Sequence, residues 1–390
     1  MKKRNSYLNL IKDRFLVNPA VALLGPRQSG KTTLARFFSQ QMDESVEVHW
    51  FDLDDTGDLS ALQNPKTVLE SLTGLIIIDE VQKLPALFPI LRVLLDQHVE
   101  GRQFLLLGSA SKDLIEQSSE TLAGRLSYIE VSPFSIVEVD DVKKLWHRGG
   151  YPRSYLANSN AIALQWVKDY TAAFLERDLP MLGIKVSPEA MRRFWMMLTH
   201  SHGSVSNLSD IGRSLGISHT TARHYLDILS SSFMIRQLQP WFANISKRQV
   251  KSPKIYFKDS GIYHYLLGLS FGEDILHHPK LGASWEGFAL EQIIKYTNAD
   301  AQDCYFWGIH AQNELDLLIV KEGQKQGFEF KFSDKVTITK SMKESLETLD
   351  LDHLTVIFPG KKTYKLDEKI TAKGLESLVK NDSKHLLNEE

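Results

Sequence analysis

Residues 25–33 read Gly25, Pro26, Arg27, Gln28, Ser29, Gly30, Lys31, Thr32 and Thr33. Their spacing fits G-x-x-x-x-G-K-[ST], a glycine-rich loop whose backbone N–H groups cradle phosphates. Gly25 and Gly30 let the backbone turn inward without a Cβ in the way. Lys31 is spaced to reach the β- and γ-phosphates of a nucleoside triphosphate, and Thr32 to hold Mg2+ through its hydroxyl. ATP and Mg2+ are the ligands this chemistry calls for; the alternative is a glycine-rich turn with no ligand. Further on, Asp79 and Glu80 close the run Leu75-Ile76-Ile77-Ile78. Asp79 would complete the Mg2+ shell, and Glu80 would orient and deprotonate an attacking water, as phosphoryl transfer requires. An acidic turn after a strand is the plainer alternative. Arg125 is a candidate finger on a γ-phosphate, in its own chain or a neighbour's.

A second set of chemical residues lies near the C-terminus. Asp316 stands in Glu314-Leu315-Asp316-Leu317-Leu318, and Glu329 and Lys331 in Phe328-Glu329-Phe330-Lys331-Phe332. On a strand the three phenylalanines point to one face and Glu329 and Lys331 to the other. Asp316 and Glu329 would bind a Mg2+ that polarises a phosphate and acidifies its water. Lys331 would position that water or stabilise the developing charge. Glu286, on a preceding helix, would complete the metal shell, with Glu291 as a further candidate. Alternating charges on a solvated strand face would look the same.

A third set suits nucleic acid. Asn207 to Ile217 reads as a short helix and a glycine turn, and Ser218 caps a second helix. A strand at 234–238 follows, so the segment predicts a winged helix-turn-helix. Thr220, Thr221 and Arg223 fall at the start of the second helix, where bases or phosphates are met. Lys247, Arg248 and Lys251, then Lys254, Tyr256 and Lys258, supply further phosphate contacts. Packing against a neighbouring subunit is the alternative use of such a module.

The elements that must position these residues are legible as periodicities. Apolar runs at 21–24, 46–52, 74–79, 103–108 and 128–131 predict strands, those with continuous aliphatics being buried on both faces as in a parallel sheet. Helical spacing follows the glycine-rich loop (Leu34, Phe37, Phe38) and the two acids (Leu87, Ile90, Leu91, Leu94, Leu95), and is present at 3–15. From 284 the order is helix, three strands, helix, strand.

The succession of glycine-rich loop, acidic strand, polar strand tip and arginine matches AAA+ type ATPases. The whole chain resembles a family of predicted bacterial and archaeal ATPases with an N-terminal AAA+ module and a C-terminal region of undefined function. The residues carrying the resemblance are GPRQSGKTTL, LIIIDEVQKLP, LLLGSAS, LAGRLSYIEVSPFSIVE, GGYP at 149–152, ERDL at 176–179 and KIYFKDSGIYHYLLG at 254–268. It implies an ATPase that assembles as a homo-oligomer, a hexamer being one such form. It also implies a γ-phosphate sensor at the strand tip, for which Ser109 is the candidate, and a helical lid, with Arg177 as a nucleotide or subunit contact. The C-terminal αβββαβ order resembles the restriction-endonuclease-like core of the PD-(D/E)xK superfamily, although no Pro-Asp pair precedes Asp316.

The chain has 390 residues, of which 43% are hydrophobic and 24% charged, the balance of a globular protein. Its one cysteine, Cys304, excludes a disulfide framework and a cysteine zinc site. No apolar run is long enough for a membrane span. The basic N-terminus reads as an amphipathic helix and not a signal peptide, and the single cysteine fits a reducing cytoplasm. With a net charge of −2, a DNA partner must be held by local basic patches. The expected fold is α/β: a parallel AAA+ sheet at 1–145, a helical lid at 146–202, a winged helix-turn-helix at 203–258, a restriction-endonuclease-like domain at 259–380 and a tail at 381–390. The expected function is ATP-driven remodelling or processing of DNA, branched DNA included, with a metal-dependent nuclease site. The rival is a nucleotide-switched regulator whose winged helix binds an operator or a protein.

Overall fold

The computed structural model describes residues 2–109, 122, 124–242, 250–309 and 313–379. Ala110, Ser111, Ala123, Lys247, Arg248 and the expected tail lie outside the described residues. The chain forms two compact units, Met1–Pro133 with Ser231–Phe233, and Phe134–Ser230 with Met234–Glu390. The first expected boundary, 145, differs from the observed division at Pro133.

Five strands build the first unit: β1 (Ala20–Leu24), β2 (Val48–Asp52), β3 (Leu75–Asp79), β4 (Gln103–Gly108) and β5 (Leu126–Glu130). All pair in parallel, in the order β2-β3-β4-β1-β5. Every residue of β1 and β3 is buried, which explains their unbroken aliphatic runs. Alternate residues feed two cores. Ala20, Ala22, Ile76, Ile78, Phe104 and Leu106 face one side. Val21, Leu23, Leu75, Ile77, Leu105 and Leu107 face the other. Helices α1 (Asn5–Phe15) and α2 (Lys31–Ser39) close the second side with Leu8, Ile11, Leu34 and Phe38. Helix α3 (Leu87–Asp96) closes the first with Leu87, Leu91 and Leu94. Because β4 lies between β1 and β3, the loop after β1, the acids after β3 and the tip of β4 share one sheet edge. Ligands of open parallel sheets bind outside the carboxyl ends of the strands, where the strand order reverses.

The second unit contains α4 (Val142–Arg148), α5 (Asn160–Ala173), α6 (Pro188–Leu198), β6 (Ser204–Val205), α7 (Leu208–Leu215), α8 (His219–Ser231), β7 (Ile235–Pro240) and β8 (Lys254–Phe257). Then come α9 (Ser260–Leu266), α10 (Leu281–Tyr296), β9 (Cys304–Gly308), β10 (Glu314–Lys321), β11 (Gln324–Phe330), α11 (Lys340–Leu349), β12 (His353–Phe358), β13 (Thr363–Asp367) and β14 (Ile370–Gly374). One nine-stranded sheet runs through this unit in the order β13-β14-β12-β11-β10-β9-β7-β8-β6. The β7–β8 hairpin is therefore an extension of the C-terminal sheet, joined where Gln239 and Pro240 pair in parallel with Tyr305 and Phe306 of β9. Buried Trp285, Phe288 and Ile293 of α10 pack on Leu317, Phe328 and Phe330 of the sheet. No helix among the described residues is long and apolar enough to cross a membrane.

Candidate functional site

Local packing dictates the loop after β1. Gly25 N–H donates to the Gly108 carbonyl at 3.3 Å, and a Cβ on Gly25 would stand 2.3 Å from the Val131 carbonyl oxygen. Gly30 has φ of 98°, a left-handed value that glycine adopts without strain, and opens α2. Between them Ser29 N–H turns back to the Pro26 carbonyl at 3.3 Å, and Gln28 is exposed. Lys31 is buried, and its ammonium donates to the carbonyls of Gly25 at 2.8 Å and Pro26 at 2.9 Å. Burial lowers its pKa to about 8, against the raising influence of Glu80 and Asp79; half-buried Arg27 adds to the lowering. Thr33, next along α2, is half-buried.

Across the edge, Thr32 Oγ1 donates to Asp79 Oδ2 at 2.7 Å. Burial raises the Asp79 carboxyl, and the Thr32 hydrogen bond opposes this. Glu80 takes the left-handed conformation (φ 54°), and its N–H donates to Asp79 Oδ1 at 2.9 Å. Its carboxylate accepts from Ser109 Oγ at 3.2 Å and from Gln82 Nε2. Gln82 Nε2 also reaches Ser109 Oγ at 3.0 Å, so the two acids and the β4 tip form one hydrogen-bonded group.

These residues suit magnesium and a polyphosphate. The Thr32 hydroxyl and Asp79 carboxylate offer adjoining hard oxygen ligands, the kind Mg2+ takes alongside phosphate and water. Ser29 Oγ, inside the loop, is buried without a hydrogen-bond partner among the described residues. The N-terminal end of α2 adds a favourable dipole for an anion.

Sequence reasoning missed two residues. Arg4 is buried and donates to the Ser29 carbonyl at 3.0 Å and the Ser132 carbonyl at 2.8 Å, with its guanidinium 4.4 Å from the Tyr7 ring centroid. It ties the phosphate loop to α1. Gln82, which holds Glu80, was visible only as part of the motif LIIIDEVQKLP. Arg125 forms an ion pair with Asp96 at the end of α3. Arg177 lies in a π-helical turn, Phe174–Asp178, and pairs with Asp178 at 3.0 Å.

In the second unit Asn207 caps α7 through Ser209 N–H at 3.1 Å. Gly216 (φ 68°) ends that helix, and Ser218 Oγ accepts from Thr221 N–H at 3.0 Å to start α8. Thr220 and Arg223 are exposed on α8, and Arg223 donates to Gln237 on β7 at 3.1 Å. A groove of about 340 Å3 runs beside them, lined by Ser206, Asn207, Ser209, His219, Arg223 and Ser252. Lys251 is exposed.

Lys254 and Tyr256, expected to face phosphates, are buried, and this is a correction. Residues on alternate positions of β8 turn into the sheet's interior and meet the C-terminal acids. Lys254 is hydrogen-bonded to Glu314, and its ammonium lies 3.9 Å from both Glu286 Oε1 and Asp316 Oδ1. Tyr256 donates to Glu286 Oε1 at 2.7 Å. Asp316 Oδ2 accepts from Phe330 N–H at 3.0 Å, and Lys331 pairs with Glu329 at 2.8 Å. Burial, reinforced by the Asp316 charge, raises Glu286 and Glu329 to about 8. Burial would lower Lys254, but Asp316, Glu286 and Glu314 outweigh it and hold it above its ordinary value. Among the described residues no group of three or more His, Cys, Asp or Glu side chains is arranged to hold a metal ion. Of the carboxylates expected to hold Mg2+, Glu286 accepts from Tyr256, Asp316 from Phe330 N–H, and Glu329 pairs with Lys331. Glu291 is likewise engaged elsewhere, in a buried bidentate pair with Arg236.

Comparison with known proteins adds family context. Residues 17–140 match an AAA domain. Residues 139–273 and 281–378 match domains of unknown function, DUF8612 and DUF4143. The chain is 42% identical over 367 residues to the uncharacterized proteins Rv2008c of Mycobacterium tuberculosis and Mb2031c of Mycobacterium bovis. Each alignment covers 94% of this chain and 82% of the relative. A solved structure, the Walker-type ATPase PABY2304 of Pyrococcus abyssi, aligns with a TM-score of 0.48 at 14% identity. It spans 68% of this chain and 96% of that one, a likeness too distant to decide function.

Proposed function

Because this chain belongs to the family of AAA-domain proteins that includes Rv2008c of Mycobacterium tuberculosis, we propose that it is an ATP-hydrolysing enzyme that acts on DNA. The contact of Thr32 with Asp79, beside Lys31 and Glu80 on one sheet edge, carries the ATPase reading. Magnesium ATP, when bound, supplies the phosphoryl group that passes to water. Lys31 would then exchange its loop carbonyls for phosphate oxygens, and the added negative charge favours its protonated form. Thr32 and Asp79 would hold the metal. Glu80 would take the proton of the attacking water, and Ser109 would sense the γ-phosphate. Arg125 would meet a γ-phosphate from the same chain or across an oligomer interface.

The DNA reading rests on the α7–α8 pair and the β7–β8 hairpin, read as a winged helix-turn-helix, with Thr220, Thr221, Arg223 and Lys251 as contacts. Lys247 and Arg248 extend this basic set in the sequence. One observation favours the rival reading of a slow, nucleotide-switched regulator: the Glu80 carboxylate is tied to both Gln82 and Ser109. ATP turnover with Mg2+, measured alone and with linear, single-stranded and branched DNA, separates the two. Stimulation by one DNA form is the expected result. Slow turnover indifferent to every form would transfer the assignment to the regulator.

A further inference from the structure

The carboxylate centre of the second unit has an unusual occupant. Lys254 enters it from β8, a strand of the hairpin, while Glu286 comes from α10 and Glu314 and Asp316 from β10. Lys254 is only 1% exposed, although lysine is among the residues least often buried. Its ammonium hydrogen-bonds to Glu314, lies 3.9 Å from one oxygen of Glu286 and one of Asp316, and sits 5.4 Å from the Phe306 ring centroid. Tyr256 donates to the same Glu286 oxygen that faces Lys254, and Phe330 N–H holds the second oxygen of Asp316. A second ammonium, that of Lys331, engages Glu329.

A buried charge persists only when it is paired and hydrogen-bonded. Here three carboxyl groups face one ammonium, Glu314 in a hydrogen bond and Glu286 and Asp316 each at 3.9 Å. A hard divalent ion would need the same oxygens at about 2.0–2.6 Å, drawn together around a point. A primary ammonium, with three donors, offsets one of these charges, while the Tyr256 hydroxyl on Glu286, the Phe330 N–H on Asp316 and solvent at exposed Glu314 satisfy the remaining oxygens.

We propose that the Lys254 ammonium is the resident cation of the Glu286–Glu314–Asp316 centre, which makes this centre independent of divalent metal, and that Lys254 thereby fastens the hairpin to the C-terminal sheet. The proposal stands apart from the ATPase reading, since none of its residues belongs to the phosphate loop.

The test counts bound Mn2+ by electron paramagnetic resonance in the nucleotide-free full-length chain, with Mn2+ alone as the probe. The wild type and the variants Lys254→Arg, Lys254→Met and Asp316→Asn are compared. Mn2+ at Thr32 and Asp79 is unaffected by Asp316→Asn, so any binding lost in that variant belongs to the C-terminal centre. The wild type and Lys254→Arg should show no Asp316-dependent Mn2+. Lys254→Met, which removes the charge and keeps the length, should acquire Mn2+ that the added Asp316→Asn change abolishes. Asp316-dependent Mn2+ binding by the wild type overturns the proposal, and so does a folded Lys254→Met protein that gains none. If Lys254→Met fails to fold, the wild type and Asp316→Asn pair decides alone: equal binding supports the proposal, and a difference overturns it.

Discussion

Two buried lysines, Lys31 in the first unit and Lys254 in the second, stand near carboxylates and behave oppositely. Lys31 gives its hydrogen bonds to two main-chain carbonyls of its own loop, with Asp79 and Glu80 acting only as more distant charges. Burial wins there, and the pKa falls to about 8. Lys254 gives its hydrogen bond to a carboxylate and has two more within 3.9 Å, so its pKa rises. A carbonyl has no net charge, so the Lys31 cation remains largely unneutralised and is suited to an incoming anion. The Lys254 cation is already matched by carboxylates. Acids and a lysine brought together thus make a phosphate-binding centre in one unit and a lysine-centred ionic cluster in the other.

The most damaging changes separate binding from chemistry in the first centre. Lys31→Ala should abolish measurable hydrolysis, because a charge aimed at the transferring phosphoryl group commonly contributes a factor of about 100 to 1,000. Glu80→Gln should retain nucleotide binding while turnover falls by about 100-fold, the usual worth of a positioned base. Phosphate release and binding of a fluorescent ATP analogue measure the two effects. Turnover preserved in Glu80→Gln would remove Glu80 as the base and leave Gln82 and Ser109 holding a residue with another task.

The pH response should differ in sign between the two centres. Glu286 and Glu329, raised by burial and by Asp316 to about 8 from an ordinary 4.5, keep their protons longer in the folded chain than in the unfolded one. The folded state therefore binds more protons between those values, and stability falls as pH rises through them. Lys31, lowered to about 8 from 10.5, releases its proton earlier when folded, so its contribution rises with pH between about 8 and 10.5. Tryptophan fluorescence reports the second unit, which holds six of the seven tryptophans. Its melting temperature should fall between about pH 5 and pH 8, and Glu286→Gln, which cannot ionise, should fall less. An identical slope in the variant would mean that Glu286 is ionised throughout.

The legibility of the two centres differed for a physical reason. Phosphate-loop residues are contiguous, and the strands that carry them are buried on both faces, so spacing and apolar runs were enough to place Lys31, Thr32, Asp79 and Glu80. The order of helix and strands after 284 was equally plain. Arg4 was not, because its partners lie 25 and 128 residues away and nothing distinguishes it from Lys2 and Lys3 beforehand. Lys254 misled because Lys-Ile-Tyr-Phe alternates as an edge strand would. All four residues are in fact buried, since β8 lies between β7 and β6 in the extended sheet. GGYP and the KDSG within KIYFKDSGIYHYLLG, quoted only for the family resemblance, have a structural use: buried Asp259 accepts from Gly150 N–H at 2.8 Å and from Ile262 N–H at 3.0 Å, joining the end of α4 to the start of α9.

The smallest expected effect sharpens the comparison at Arg125. Its guanidinium pairs with Asp96, and both side chains are substantially exposed. An exposed pair of this kind adds little to stability, so Arg125→Ala should leave the melting temperature of the first unit almost unchanged. Turnover is the informative measurement. An arginine that reaches a γ-phosphate contributes about 1,000-fold or more, and its loss would be felt without any loss of folding. Turnover that falls steeply, and recovers in part when Arg125→Ala is mixed with a Lys31→Ala chain, would place the arginine across a subunit interface. A wild-type rate would leave Arg125 as the surface partner of Asp96 and confine the chemistry to the edge formed by Lys31, Thr32, Asp79 and Glu80.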